Sequence, residues 1–197
     1  MLKSRLTNKL ELGCDEAGRG CLAGPVVAAA VILPTNFKNE TLNDSKKVSK
    51  KQREELEIII KEKSLGFGIG EVSVERIDKI NILNASILAM HRAINKIKHN
   101  FNFLLIDGNR FRAYKDIDHQ CIIKGDQKYM NIAAASILAK THRDRIMENL
   151  SEEYPLYLWD RNKGYGTKEH RNSILKFGTN IHHRKSFSIH KKQLNLF

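Results

Sequence analysis

Four acidic residues stand where acids are unusual. Asp15 and Glu16 follow a first short strand and precede Gly18-Arg19-Gly20. Asp107 closes the apolar run Phe103-Leu104-Leu105-Ile106, and Asp126 sits in Lys124-Gly125-Asp126, just after Cys121-Ile122-Ile123. The end of a buried strand desolvates a charge, and several acids gathered there repel one another. A divalent cation relieves that repulsion. Mg²⁺ takes hard oxygen ligands and keeps waters for a substrate phosphate. Two such ions about 3.5–4 Å apart activate water on one side of a phosphorus and stabilise the leaving oxygen on the other. The chemistry implied is phosphodiester hydrolysis. Taken singly, each acid is better read as a turn cap or an arginine's partner. The hydrolase reading needs all four to meet in the folded chain.

The elements that must bring them together follow from the hydrophobic pattern. Residues 10–14 read as a first strand, and 26–33, a continuous apolar run, as a buried second one. Gly18, Gly20 and Gly24 lie between them, so the two are expected to pair as a hairpin. A polar loop spans 35–47. Ser49 and Gln52 form a capping box for a helix reaching about Lys63. Residues 65–72 read as a third strand, and 82–97 as a helix through Leu83, Ile87, Met90, Ile94 and Ile97. Strands follow at 103–106 and 117–123, then a long helix at 130–150 with an alanine-rich first half. Thr167 caps a last helix that ends near Gly178. Strands first, then alternating strands and helices, predict a mixed α/β sheet with helices packed on it.

The 197 residues are 41% hydrophobic and 28% charged, enough for one well-buried domain and short for two. No apolar run approaches the roughly 20 residues that span a bilayer. Residues 1–11 lack the apolar core of a signal peptide, so a cytoplasmic address is expected. Cys14, Cys21 and Cys121 show no C-x-x-C spacing and read as small, mostly buried residues rather than disulfides or zinc ligands. Lys and Arg number 34 against 22 Asp and Glu, a net charge of +12. From Arg161 onward there are nine Lys or Arg and one acid, Glu169. Charge polarised in this way suits a phosphate-bearing partner.

The run Gly13-Cys14-Asp15-Glu16-Ala17-Gly18-Arg19-Gly20, continuing through Leu22-Ala23-Gly24-Pro25-Val26-Val27, resembles the N-terminal signature of the ribonuclease HII family. Later segments match in order: Asp44-Ser45-Lys46, Asp107-Gly108-Asn109, Lys124-Gly125-Asp126, then Ala134-Ala135-Ser136-Ile137-Leu138-Ala139-Lys140 with Arg143-Asp144. Lys163-Gly164-Tyr165-Gly166-Thr167 with His170, and His183-Arg184-Lys185-Ser186-Phe187, complete the series. Position 21, often proline in the family, is Cys21 here; it lies outside the carboxylate set. The resemblance implies a ribonuclease H-like fold, a mixed five-stranded sheet flanked by helices with a helical C-terminal part. It implies catalysis with Mg²⁺ or Mn²⁺ held by Asp15, Glu16, Asp107 and Asp126. It implies hydrolysis of the RNA strand of RNA–DNA hybrids, and incision of duplex DNA 5′ to a single embedded ribonucleotide. The ends left are a 5′-phosphate and a 3′-hydroxyl.

In that role Gly18, Arg19 and Gly20 have a physical rationale. Glycines let the backbone approach a nucleotide closely, and its amides and carbonyls can bond the 2′-hydroxyl that marks RNA. Arg19 can fork onto a phosphate. By resemblance, the Tyr165 ring stacks on the sugar just after the ribonucleotide. Lys46, Arg143 and Lys163 are expected phosphate contacts, though each would also serve as an ordinary surface charge. A DNA junction resolvase of the same fold would share the carboxylates but has no 2′-hydroxyl to read. A non-catalytic binding module would be weakened by acids facing phosphate. Gln193-Leu194-Asn195-Leu196-Phe197 resembles the short motif by which bacterial replication proteins dock on the sliding clamp, with Gln193, Leu194, Leu196 and Phe197 as contacts. The alternative is a tail folded back on the domain. Residues 1–192 are thus expected to form one catalytic domain, basic and helical from about 150, with 193–197 as a tail. A monomer is expected.

Three further signals are set aside. Gly66-Phe67-Gly68-Ile69-Gly70 lacks the G-K-[ST] ending of a phosphate loop and reads as strand. His182-His183, in a basic segment, read as solvated. Trp159 reads as a packing anchor near Tyr154, Tyr157 and Leu158.

Overall fold

The computed structural model describes residues 2–43, 45 and 48–188. Five strands form one sheet: β1 (Glu11–Ala17), β2 (Val26–Ile32), β3 (Gly66–Val72), β4 (Phe103–Asp107) and β5 (His119–Ile122). Their order is β3-β2-β1-β4-β5. β1 pairs antiparallel with β2, and β2 with β3, whereas β4 runs parallel to β1 and to β5. The mixed sheet and the first hairpin match the sequence reading.

The end of β1 does not. Asp15 and Glu16 lie inside the strand, opposite Ala29 and Ala28, rather than after it. Ladder hydrogen bonds come from the backbone and ignore side-chain charge. A strand can therefore carry acids wherever they point into a cleft.

Both faces of the sheet are covered, which explains why β2 is apolar throughout and fully buried. Val26, Ala28, Ala30 and Ile32 join one cluster with helix α3 (Ile82–Asn95), while Ala29 and Val31 join another with α1 (Lys50–Lys63) and α4 (Met130–Glu153). The glycines of β3 serve this packing. A Cβ on Gly68 would lie 2.2 Å from the Ala93 carbonyl oxygen of α3, and one on Gly70 2.2 Å from that of Ala89. The segment is a helix seat, not a phosphate loop.

Helix α1 carries the expected capping box between Ser49 and Gln52. Helix α2 (Val74–Ile80) was not anticipated. Asn81, at φ 64°, ends it and caps α3 through the Asn84 amide at 3.1 Å. Two short α-helices, α5 (Trp159–Asn162) and α6 (Lys168–Phe177), follow α4. They gather on Trp159, which is fully buried and stacked on Tyr157 with ring centres 5.0 Å apart. The Trp159 indole N–H donates to His170 Nε2 at 3.0 Å. His183 is buried in the same cluster, 5.4 Å from the Trp159 ring. Its expected solvated state is therefore wrong: aromatic packing, not the surrounding charge, decides where it sits. Burial pushes the His183 imidazole down to about 4 and lowers that of His170.

Candidate active site

Parallel pairing brings the carboxyl ends of β1 and β4 side by side, with Cys14 opposite Ile106. Asp15 and Asp107 are the next residues along. Asp126 arrives on a short 3₁₀ turn (Gly125–Gln127) just past β5, and the Gly125 amide donates to Asp107 Oδ1 at 2.7 Å. Asp15, Glu16, Asp107 and Asp126 consequently line one cleft of about 240 Å³. Burial, then the charges of Glu16 and Asp107, hold the Asp15 carboxyl well above the usual range. The Glu16 amide at 2.6 Å and the Ser136 hydroxyl oppose that shift.

The donors are hard oxygens with unbalanced negative charge, which fits a hard divalent ion. Among the described residues the acids line an open cleft and do not close into a cage of three or more. Mg²⁺-type sites keep several waters and use one or two carboxylates per ion, an arrangement an open cleft allows.

The 18–20 segment and Tyr165 line the same cleft. Gly18 sits at φ 95°, and a Cβ there would strike the Arg143 guanidinium at 2.1 Å. Arg19 reaches back to Glu16 at 3.1 Å and stays about half exposed. Tyr165 bridges to Cys21 by backbone pairing, and burial together with the Cys21 side chain raises its hydroxyl to about 12. Cys21, given little weight from sequence, thus lies directly under the stacking candidate. The Tyr165 carbonyl accepts from His170 Nδ1 at 2.9 Å, tying this loop to the Trp159 cluster.

Two expected phosphate contacts are placed otherwise. Arg143 is fully buried and donates to the carbonyls of Ala23, Pro25 and Lys163 at 2.8–3.0 Å. Arg184 does the same beneath Arg19, Gly24 and Pro25. A turn of this shape leaves several carbonyls pointing inward, and only a multi-donor side chain satisfies them. Lys163 is engaged by Glu148 at 2.7 Å and does not line the cleft. Lys46 and the tail residues Gln193, Leu194, Leu196 and Phe197 lie outside the described residues.

Three lining residues went unrecognised as site residues in the sequence. Lys140 brings an ammonium into the cleft, paired with Asp144 and 5.8 Å from the Tyr165 ring centre. Ser45 and Ser136 stand 2.9 Å apart, and Ser136 passes its hydrogen bond to Asp15. Their signal was helical spacing: Ser136 and Lys140 are four apart on α4 and share a face. A larger groove of about 940 Å³ lies elsewhere; three acids (Glu71, Glu75, Asp78) and three bases (Lys79, Arg92, Lys185) line it, and none of the four clustered carboxylates does.

The fold is similar to those of solved ribonucleases H2, HII and HIII. The ribonuclease H2 of Pyrococcus horikoshii OT3 is 22% identical, with a TM-score of 0.74 over 91% of this chain and 94% of that one. The ribonuclease HII in the PCNA:RNase HII complex from Archaeoglobus fulgidus is 26% identical, with a TM-score of 0.75 over 95% and 100%. A Bst ribonuclease HIII solved in complex with Mn²⁺ gives 0.74 at 18% identity, over 91% and 67%. Fold and cleft thus define a nuclease-type hydrolase with the ribonuclease H architecture. More narrowly, the family model for "Ribonuclease HII" matches residues 12–191. The curated ribonuclease HII of Christiangramia forsetii is 58% identical over 93% of each chain, and that of Cytophaga hutchinsonii 54% over 100% and 98%. The chain belongs to the ribonuclease HII family.

Proposed function

We propose that this protein hydrolyses the RNA strand of RNA–DNA hybrids and incises duplex DNA 5′ to a single embedded ribonucleotide, leaving 5′-phosphate and 3′-hydroxyl ends. One observation carries the reading: four carboxylates, the Gly18-Arg19-Gly20 segment and Tyr165 share one cleft. The acids would hold Mg²⁺ or Mn²⁺, and the ions would supply activated water and charge neutralisation at the phosphate. The protein's own groups do the rest. Backbone at Gly18 and Gly20 reads the 2′-hydroxyl, Arg19 grips a phosphate, and the Tyr165 ring packs on the neighbouring sugar. Lys140 offsets charge on the bound strand. Arg143 and Arg184 act beneath, keeping the loop's shape.

The test is cleavage of a labelled DNA duplex containing one ribonucleotide, with Mg²⁺ and with EDTA. Incision on the 5′ side, lost with EDTA and reduced at least a thousandfold in Asp107→Asn, is expected. Cutting of branched DNA but not this duplex would move the protein to the resolvase reading.

The partner proposed for the tail is the DNA sliding clamp, through Gln193, Leu194, Leu196 and Phe197. The Archaeoglobus relative, solved in a PCNA complex, supports it. Deleting Leu196 and Phe197 should abolish clamp pull-down and leave cleavage intact; unchanged binding would discard the idea. Residues 1–192 are proposed to act as one catalytic domain of a cytoplasmic monomer, and light scattering at twice the chain mass would refute the monomer. Among the described residues no helix is long and apolar enough to cross a membrane.

A further inference from the structure

The cleft does not end at the carboxylates. Side chains alternate along a strand, so Asp15 and Glu16 leave β1 on opposite faces. Asp15 turns toward α4 and Ser136, and Glu16 toward α3. On the α3 side, Glu16, Arg19 and Asp107 also wall a second, smaller hollow. Asn109 and Arg110 line this hollow and not the cleft, whereas Tyr165 lines the cleft and not the hollow. The carboxylates therefore stand between Tyr165 and Arg110.

Ser86 of α3 lies at the inner wall. It is 3% exposed, and its hydroxyl has no hydrogen-bond partner among the described residues. Leaving a buried hydroxyl unpaired is unfavourable, so this orphan, set in the wall of an open hollow, calls for an explanation, and a group from outside the chain supplies one. The free room is about 10 Å³, the space of a single oxygen-sized group. No base or sugar fits. Arg110 and Asn109 are exposed at the rim, and their side chains make no hydrogen bond or ion pair with other described residues.

We propose that this hollow is a phosphate subsite. It takes one non-bridging oxygen of a backbone phosphodiester, on the far side of the cut from the nucleotide that meets Tyr165. Arg110 supplies the charge, Asn109 an amide donor, and Ser86 the innermost hydroxyl donor. The subsite rests on the nucleic-acid substrate of the preceding section and extends its footprint across the carboxylates.

The experiment measures kcat and KM on three duplexes carrying one ribonucleotide: long on both flanks, cut short on one, and cut short on the other. Wild type is compared with Arg110→Ala, Arg110→Lys, Ser86→Ala and Tyr165→Ala. On the long duplex Arg110→Ala should raise KM about tenfold with kcat little changed. Arg110→Lys should recover most of that loss, and Ser86→Ala should raise KM several-fold. Shortening one flank should erase the Arg110 and Ser86 penalties while keeping that of Tyr165; shortening the other should do the reverse. Equal Arg110 penalties on all three duplexes would show general attraction and overturn the subsite. So would an unchanged KM in Ser86→Ala, which would leave the hollow to a water. A wild type that cuts none of the duplexes would overturn the functional reading and the subsite with it.

Discussion

Asp15 shows what the site demands of one residue. Its carboxyl is buried beside Glu16 and Asp107, and all three effects favour the protonated form. The fold therefore disfavours the ionised form of Asp15. Asp15→Asn should raise the thermal midpoint without divalent ions, by about 2–4 °C for each kcal/mol of relieved repulsion. Adding Mn²⁺ should then stabilise wild type more than the variant. A midpoint that falls in ion-free buffer would mean that the carboxylate is structurally needed. Arg143 teaches the converse. Sequence offers no means of telling a surface arginine from one buried against carbonyls, because both sit in polar, glycine-rich surroundings.

At the level of elements, α3 lies on β3 backbone to backbone. Gly70→Ala should cost about 1–3 kcal/mol in urea unfolding, since the added methyl meets the Ala89 carbonyl. Gly66→Ala is the control: its nearest neighbours stand 3.5 Å or more away, so it should be near neutral or stabilising. Equal losses at both positions would refute the seat. Periodicity revealed α3, whose apolar stripe packs on the sheet, while capping residues marked α1 and α6 and an alanine-rich run marked α4. It missed α2, which has only seven residues and buries Val74 and Ile77 alone. It also stopped β1 short, because acids look like the end of a strand.

Across the molecule, the C-terminal part is held by an aromatic and histidine cluster that must stay neutral. In an unfolded chain an imidazole takes its proton near pH 6.5, whereas His183 holds out until about 4. As pH falls, the unfolded state binds that proton first, so stability is lost between roughly 6.5 and 4. His170 is shifted the same way. Trp159 fluorescence should report loosening of this cluster in that window. His183→Gln, which cannot take the proton, should flatten the pH dependence. An identical acid transition in both proteins would assign it to other groups.

Read alone, the amino-acid order specifies the strands and most of the helices, since burial leaves a short continuous apolar run or a period-3.6 imprint on local sequence. It also specifies the acids and glycines of the site, through their motifs. Only the folded chain decides that β4 runs parallel to β1, which brings Asp15 and Asp107 to one edge. It likewise decides that Arg143 and Arg184 face inward, that Lys140 and Ser136 face the cleft, and that Cys21 lies against Tyr165. These are contacts between residues far apart in the chain, and no local pattern encodes the direction in which a polar side chain finds its partner.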